Sequence, residues 1–338
     1  MRRRLRAVPK ARLWGVEGKA ASKSSSKAQS AARAVPGGLR ILTLNLQYGT
    51  PAGGYTAEQR GVGLESYERR QNATIQAIEK SIGQISELDP DIICLQEVDK
   101  SQRRSGYVDQ GLALAKGLNM SYYRLAATYA GSANGLRRLP LDSTIPATKG
   151  NGVAILSRWP VRSWHMKRLG RRPPAFRWSW GEPLGGKIEG KKRLLGYLRA
   201  LPGLRITVGQ TRAVLAANII TPVGEVACAT THLELHVPTA SGQLRRAWRS
   251  VRELNQEAAI LAGDFNLSPQ QAKDALELLG DSAGPTLQQS EVTFPAWRPQ
   301  HSVDQVLSTG WVQAASPRTV RFDVSDHLGL VVDLRPER

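Results

Sequence analysis

What most constrains this chain is a set of short apolar runs that finish on polar groups. "ILTL" leads into Asn45, "IICLQ" into Glu97, "ACATT" into His232, and "ILAG" into Asp264 and Asn266. Asp304 lies within "SVDQVL", while Asp326 and His327 stand just before "LGLVVDL". Runs of roughly four to eight apolar residues are too short for ordinary helices and read as buried strands. Helix-period segments lie between them. In "SYERRQNATIQAIEKSIGQISEL", Ile75, Ile78, Ile82, Ile85 and Leu88 share one face, and Asp89 and Pro90 stop the helix. Strands alternating with helices predict an α/β fold. In such a fold several strand ends converge on one crevice, so polar groups remote in sequence meet there.

The remaining elements follow from the same periods. "VAILS" is a further strand, preceded by a loop-rich stretch over residues 119–150 with a short strand at Tyr122–Ala126. "RAVLAANII" and "GEVACATTHL" form a hairpin across Pro222 to Gly224. A helix carrying Leu244, Trp248, Val251 and Leu254 leads back to "AAILAGDFN". Ser268, Pro269 and Gln271 have the order of an N-cap, first helical position and capping-box partner, for a helix reaching Leu279. No internal period of about 20 to 50 residues marks a solenoid.

Bulk properties bound the class. With 338 residues, 41% of them hydrophobic, the chain has ample material for an enzyme-sized core. Its two cysteines, Cys94 and Cys228, sit inside apolar runs, as reduced core thiols do, which favours a cytoplasmic location. No run approaches the roughly 18 apolar residues of a membrane span, and no apolar segment of a secretory signal follows the basic N-terminus.

The net charge of +19 is unevenly distributed. Residues 1–40 hold eleven Lys and Arg against the single acid Glu17, and residues 161–212 hold thirteen against Glu182 and Glu189. The rest of the chain is close to neutral. Residues 1–38 are therefore expected to be a disordered basic tail; a solvated tail, an upstream start codon and an organelle transit peptide are the readings open for it. The second segment is read as a basic insert holding Trp164, Phe176, Trp178, Trp180 and Tyr197. Aromatics among cations stack bases while neutralising phosphates. "KKRLLGYLRALPGL" reads equally as an amphipathic helix lying on an anionic membrane, and a solvated hairpin covering a sheet edge is the plain structural alternative.

The polar residue types select a chemistry. Glu97, Asp264 and Asp326 are hard oxygen ligands, and no Cys-x-x-Cys or His-x-x-x-His cluster favours zinc, so Mg²⁺ or Mn²⁺ is the expected ion. His232 and His327 add proton transfer near neutral pH and a donor to phosphate. Together these groups describe phosphoester hydrolysis by an activated water.

The ordered set resembles the endonuclease/exonuclease/phosphatase family over residues 39–334. "TLNLQ", "LQEVD", "TTHLE", "GDFN" and "SDH" occur in the family's order. The resemblance implies a four-layer α/β sandwich over residues 39–336, two packed mixed β-sheets flanked by helices as in deoxyribonuclease I. It implies Glu97 as principal metal ligand with Asn45 and Asp326 near the metal, and His232 on a non-bridging phosphate oxygen. Asp264 would position the attacking water, Asn266 would donate to the phosphate, and His327 would act as acid or base oriented by Asp304. "GNGVAILSRWPV" is also similar to a family segment, which places Asn151 at the lining of the site. Within the family, His232 points away from the abasic-site endonucleases. A nuclease-type phosphodiesterase is the leading expectation. A phospholipid or phosphoinositide hydrolase, and a non-catalytic nucleic-acid or membrane binder, stand as alternatives.

Overall fold

The computed structural model of the protein describes residues 36–60, 64–131, 137–138, 149–179, 203–207, 209–280, 285–288 and 290–337. Most of the basic tail and residues 180–202 of the basic segment lie outside them, as do most of the residues read as an amphipathic helix.

The first half of the chain builds β1 (Leu39–Asn45), β2 (Ile92–Lys100), β3 (Tyr122–Gly131), β4 (Arg137–Arg138) and β5 (Gly150–Ser157). The short helix α1 (Ala57–Arg60), the long α2 (Leu64–Leu88) and α3 (Gln110–Gly117) accompany them. Next come β6 (Val161–Gly170), β7 (Ala175–Ser179), β8 (Gly203–Thr207), β9 (Arg212–Thr221) and β10 (Gly224–His232), then α4 (Val237–Arg252), β11 (Ala259–Asp264) and α5 (Pro269–Glu277). The chain ends with β12 (Thr286–Leu287), β13 (Asp304–Thr309), β14 (Trp311–Gln313), β15 (Arg318–Val320) and β16 (Gly329–Pro336).

Two mixed sheets result. The first runs β14-β16-β1-β2-β5-β3-β4, with β15 also on β16; the second runs β12-β13-β11-β10-β9-β6. β7 and β8 pair separately as a ribbon. Each sheet has a parallel pair at its centre, β1 with β2 and β10 with β11, while the other pairings are antiparallel. Between the sheets lie Ile41, Cys94, Ile155, Ala217, Cys228, Ile260 and Leu330. Behind the first sheet, α2 and α3 bury Ile78, Ile85 and Leu114 against Leu42, Ile93 and Leu156. Behind the second, α4 and α5 bury Leu244, Trp248 and Ala272 against Ala229 and Leu261. The sequence of layers is helix, sheet, sheet, helix. Strands buried on both faces are why the sequence shows continuous apolar runs in place of clean alternation.

α5 carries the reciprocal cap expected of it, Ser268 accepting from Gln271 N while the Gln271 side chain accepts from Ser268 N. β3 runs five residues past Ala126 as a full partner of β5. Of the readings of the basic segment, the structural alternative at a sheet edge is nearest for residues 161–170, which form β6, the edge strand of the second sheet, antiparallel to β9. Its alternation is hidden by a register shift between Val161 and Ser163, which lets Val161, Trp164 and Met166 all pack toward the core. Arg162 pairs with Glu225 at 3.4 Å and Lys167 with Glu253 at 3.6 Å, so part of this basicity is spent on neighbouring elements. Among the described residues no helix is long and apolar enough to cross a membrane.

Candidate active site

Parallel strands end at the same edge of a sheet, and here both central pairs deliver their polar termini to one place. Asn45 closes β1, and Glu97 lies in β2 beside Gln96, the residue paired with Asn45. On the second sheet His232 pairs with Asp264, and Asp264 pairs with Asp304 at the start of β13. Two local departures from regular strand aim the groups. Glu97 sits in a bulge of β2 against β5, at φ 53°, and Asn266 adopts φ 49° just after β11. The glycine of "GDFN" is required by crowding: a Cβ on Gly263 would lie 2.1 Å from Thr231 O.

Asp264 is the hub. Its Oδ2 accepts from Asn45 Nδ2 at 3.0 Å and lies 3.5 Å from His232 Nε2 and 3.9 Å from His327 Nε2. Its Oδ1 accepts from Asn266 N at 3.0 Å. Asn266 in turn donates one amide hydrogen to Leu233 O at 3.0 Å, leaving the second available.

The two histidines differ in charge. His327 Nδ1 lies 2.8 Å from Asp304 Oδ2, a carboxylate buried completely. Burial opposes the charged ring, but Asp304, through its charge and this hydrogen bond, together with Asp264 and Asp326, outweighs it and lifts the imidazole to about 10. His327 is therefore cationic at neutral pH, with Nδ1–H donated to Asp304 and Nε2–H facing Asp264. Phe294 packs on the same ring, centroids 4.8 Å apart. His232 is pushed down to about 3 by burial and by the charges of Arg212 and His327, against the opposing pull of Asp264. Its approaches to Glu97 at 3.8 Å and Asp264 at 3.5 Å are thus contacts of a neutral ring, not ion pairs.

The acidic half is under electrostatic stress. Burial, Asp264 and Asp326 raise Glu97 to about 7, only partly offset by Arg212 and a hydrogen bond with Tyr48. Burial also raises Asp326. Gln47 ties this half together, donating from Nε2 to Asp326 Oδ2 at 2.7 Å and from N to Asn45 Oδ1 at 3.0 Å. Partly buried carboxylates that resist ionising beside one another are the donor set a hard divalent cation relieves, so the residues fit Mg²⁺ or Mn²⁺. Asp264, Asp304 and His327 also bring ligand atoms within 4.8 Å of one another. That trio is better described as a proton-handling unit, because the short Asp304–His327 hydrogen bond already occupies Nδ1.

Asn151 is placed differently from the expected lining role. It donates to Val98 O at 3.1 Å and Asp99 Oδ1 at 2.9 Å, spending both amide hydrogens on the strand just past the Glu97 bulge. Arg104 grips the same Asp99 at 2.7 and 2.8 Å and covers the Tyr48 ring, its guanidinium carbon 3.4 Å from the centroid. Tyr48, Arg104 and Gln47 carried no chemical signal in the sequence beyond the neighbourhood of "TLNLQ". Arg212, counted only within the basic segment, proves to be a charge of the site itself, felt by both Glu97 and His232. Its Nε is buried without a hydrogen-bond partner. A buried N–H without an acceptor in such a site is a donor available to an anionic ligand.

A two-sheet sandwich with acids, amides and two histidines converging at one edge defines the deoxyribonuclease I-like class of hydrolase folds, whose members generally act on phosphoesters. The chain belongs to the endonuclease/exonuclease/phosphatase family, whose sequence profile matches residues 42–327. Solved structures share the fold at low identity. An endonuclease/exonuclease/phosphatase from Bacteroides vulgatus is 15% identical with a TM-score of 0.55, over 89% of this chain and 99% of that one. One from Beutenbergia cavernae is 20% identical with a TM-score of 0.52, over 89% and 72%. A mannosyl-6-phosphatase from Bacteroides thetaiotaomicron is 16% identical with a TM-score of 0.51, over 88% and 99%. No curated protein sequence is a significant match.

Proposed function

We propose that this protein is a divalent-metal-dependent phosphoester hydrolase acting on nuclease-type phosphodiesters. One observation carries the reading: a cationic His327 held by buried Asp304, a neutral His232 and the strained carboxylates of Glu97 and Asp326 all surround Asp264. Glu97 and Asp326, with Asn45 beside them, would hold Mg²⁺ or Mn²⁺. When bound, such an ion polarises a phosphoryl oxygen and stabilises a leaving oxyanion.

The chain's own groups divide the remaining work. Asp264, fixed by Asn45 and by Asn266 N, orients the attacking water through Oδ2 and takes its proton as the new P–O bond forms and the bond to the departing oxygen breaks. His327 donates a proton from Nε2 to the departing oxygen, and Asp304 keeps that ring charged and aligned. His232, being neutral, gives a single hydrogen bond to a non-bridging phosphate oxygen from its one ring N–H. The free amide hydrogen of Asn266 and the Nε–H of Arg212 add donors to the same phosphate.

The test is hydrolysis of plasmid DNA, single-stranded DNA and RNA with Mg²⁺, with Mn²⁺ and with EDTA. Cleavage that EDTA stops is the expected result. Chelator-insensitive cleavage, or no cleavage of any phosphodiester, overturns the reading.

A further inference from the structure

Residues 293–301 form a tight hairpin-like loop that no sequence motif singled out. Thr293 N and Phe294 N donate to His301 O at 2.9 and 3.0 Å, and Gln300 N and His301 N return to Phe294 O at 2.9 Å. The loop is clamped to the site on both sides. Ala296 N donates to Asp326 O at 2.7 Å, Leu328 N donates to Thr293 O at 2.8 Å, and the Phe294 ring rests on His327. Arg321 adds a hydrogen bond to Ala296 O. Thr293 and Ala296 are buried, yet the next residue, Trp297, is 64% exposed.

An indole held out in water by such a loop has no use in the core, and among the described residues Trp297 makes no ring contact. Arg298, beside it, is exposed and forms no ion pair among the described residues. A flat π-surface next to a free guanidinium, one residue from the backbone contact with Asp326, matches the repeat of a nucleic-acid strand, in which a base and a phosphate alternate.

We propose that Trp297 and Arg298 form the substrate-binding rim of the cleft, where a base of a single-stranded nucleic acid stacks on the Trp297 indole and the adjoining phosphate pairs with Arg298. The inference deepens the nuclease reading and rests on it. Trp297 sets which strands are held and takes no part in the chemistry at phosphorus.

Fluorescence anisotropy tests the rim without turnover, using labelled oligothymidylate and an abasic phosphodiester strand of equal length, with EDTA present. Wild-type protein should prefer the base-bearing strand. In Trp297→Ala that preference should collapse about tenfold toward equality, and Trp297→Phe should keep most of it. Arg298→Ala should weaken both strands and flatten the salt dependence. Equal affinity of the wild type for the two strands, or an undiminished preference in Trp297→Ala, overturns the proposal. So does a Trp297→Ala protein that loses only its sedimentation with phosphatidylserine vesicles, which would make the rim a membrane contact. A wild type that shows the preference but cleaves no phosphodiester leaves the rim standing and defeats only the hydrolase reading.

Discussion

The two sheets contribute unlike halves to one site. From the first come Asn45, Glu97 and the approach to Asp326; burial, then the charges of Asp264 and Asp326, raise Glu97 to about 7. From the second come His232, Asp264, Asn266 and Asp304, where each charge already has a partner or has been suppressed. His327 joins them, because it precedes β16 of the first sheet but hydrogen-bonds Asp304 of the second. Glu97 and His327 both have raised pKa values, for opposite reasons. Burial beside Asp264 and Asp326 keeps the proton on Glu97; the charge and hydrogen bond of Asp304 keep it on His327. On the proposed function the acidic half is where a divalent cation would be held, whereas the histidine half is already joined by the His327–Asp304 hydrogen bond.

The largest effects should separate the halves. His327→Ala removes the proposed proton donor, and kcat should fall on the order of 10² to 10⁴-fold with no recovery at any metal concentration. Glu97→Ala should cost a comparable amount in Mg²⁺ but regain part of it at high Mn²⁺. Steady-state kinetics across a metal titration checks both. Similar responses of the two variants to Mn²⁺ would break the division of roles.

Stability against pH should separate them next, with opposite signs. His327 sits above its ordinary 6.5, so its pairing with Asp304 stabilises the fold fully below pH 6.5 and is lost as pH rises through about 10. Asp304→Asn should therefore cost on the order of 3 kcal/mol at pH 6 and much less above pH 10. Glu97 sits above its ordinary 4.5, so its ionised form burdens the metal-free fold above pH 7, a burden that disappears on acidification below 4.5. In EDTA, Glu97→Gln should then stabilise the protein by about 2 kcal/mol at pH 8 and leave it nearly unchanged at pH 4. Urea unfolding at those pH values measures both, and added Mg²⁺ should reverse the Glu97→Gln result. Parallel pH trends for the two variants would contradict the comparison.

A smaller effect concerns the charge that bridges the halves. Arg212 lowers Glu97 and His232 alike, and its buried Nε lacks a partner. Arg212→Ala should raise KM about tenfold, the size of one charge-assisted contact, and weaken inhibition by inorganic phosphate similarly. Its kcat should fall much less. A fall confined to kcat would instead assign Arg212 to the transition state alone.

The strands and their polar ends were legible because burial writes apolar runs directly into sequence, and only a purpose explains acids and amides at several of their ends. The GDFN turn and the α5 cap were legible for a similar reason, since each is specified within six residues. The segment 161–170 was not, because a bulge interrupts its alternation and its outward cations resemble those of a loop. Tyr48, Arg104 and Arg212, and the partner of Gln47, itself within TLNLQ, were hidden for another reason. Each is an ordinary polar residue until the fold sets it against a partner far along the chain, as Gln47 is against Asp326.

Asn151 gives the finest test, because sequence and structure place it near the same site in different roles. As a lining residue it would touch substrate; as found, it fastens Val98 and Asp99 behind the bulge that aims Glu97. Removing two buried hydrogen bonds, one to a carboxylate, should cost about 1 to 3 kcal/mol of stability in Asn151→Ala. The carboxylate it leaves is still gripped by Arg104, which keeps the loss toward the lower end. A loosened bulge lets Glu97 wander, so the Mg²⁺ concentration needed for half-maximal activity should rise a few-fold. At saturating Mg²⁺, KM for the phosphodiester should stay within about twofold of wild type, the ordinary scatter of a substitution that removes no direct contact. A raised KM with unchanged metal demand would return Asn151 to the substrate surface and leave the bulge to be held by Arg104 and the β5 pairing.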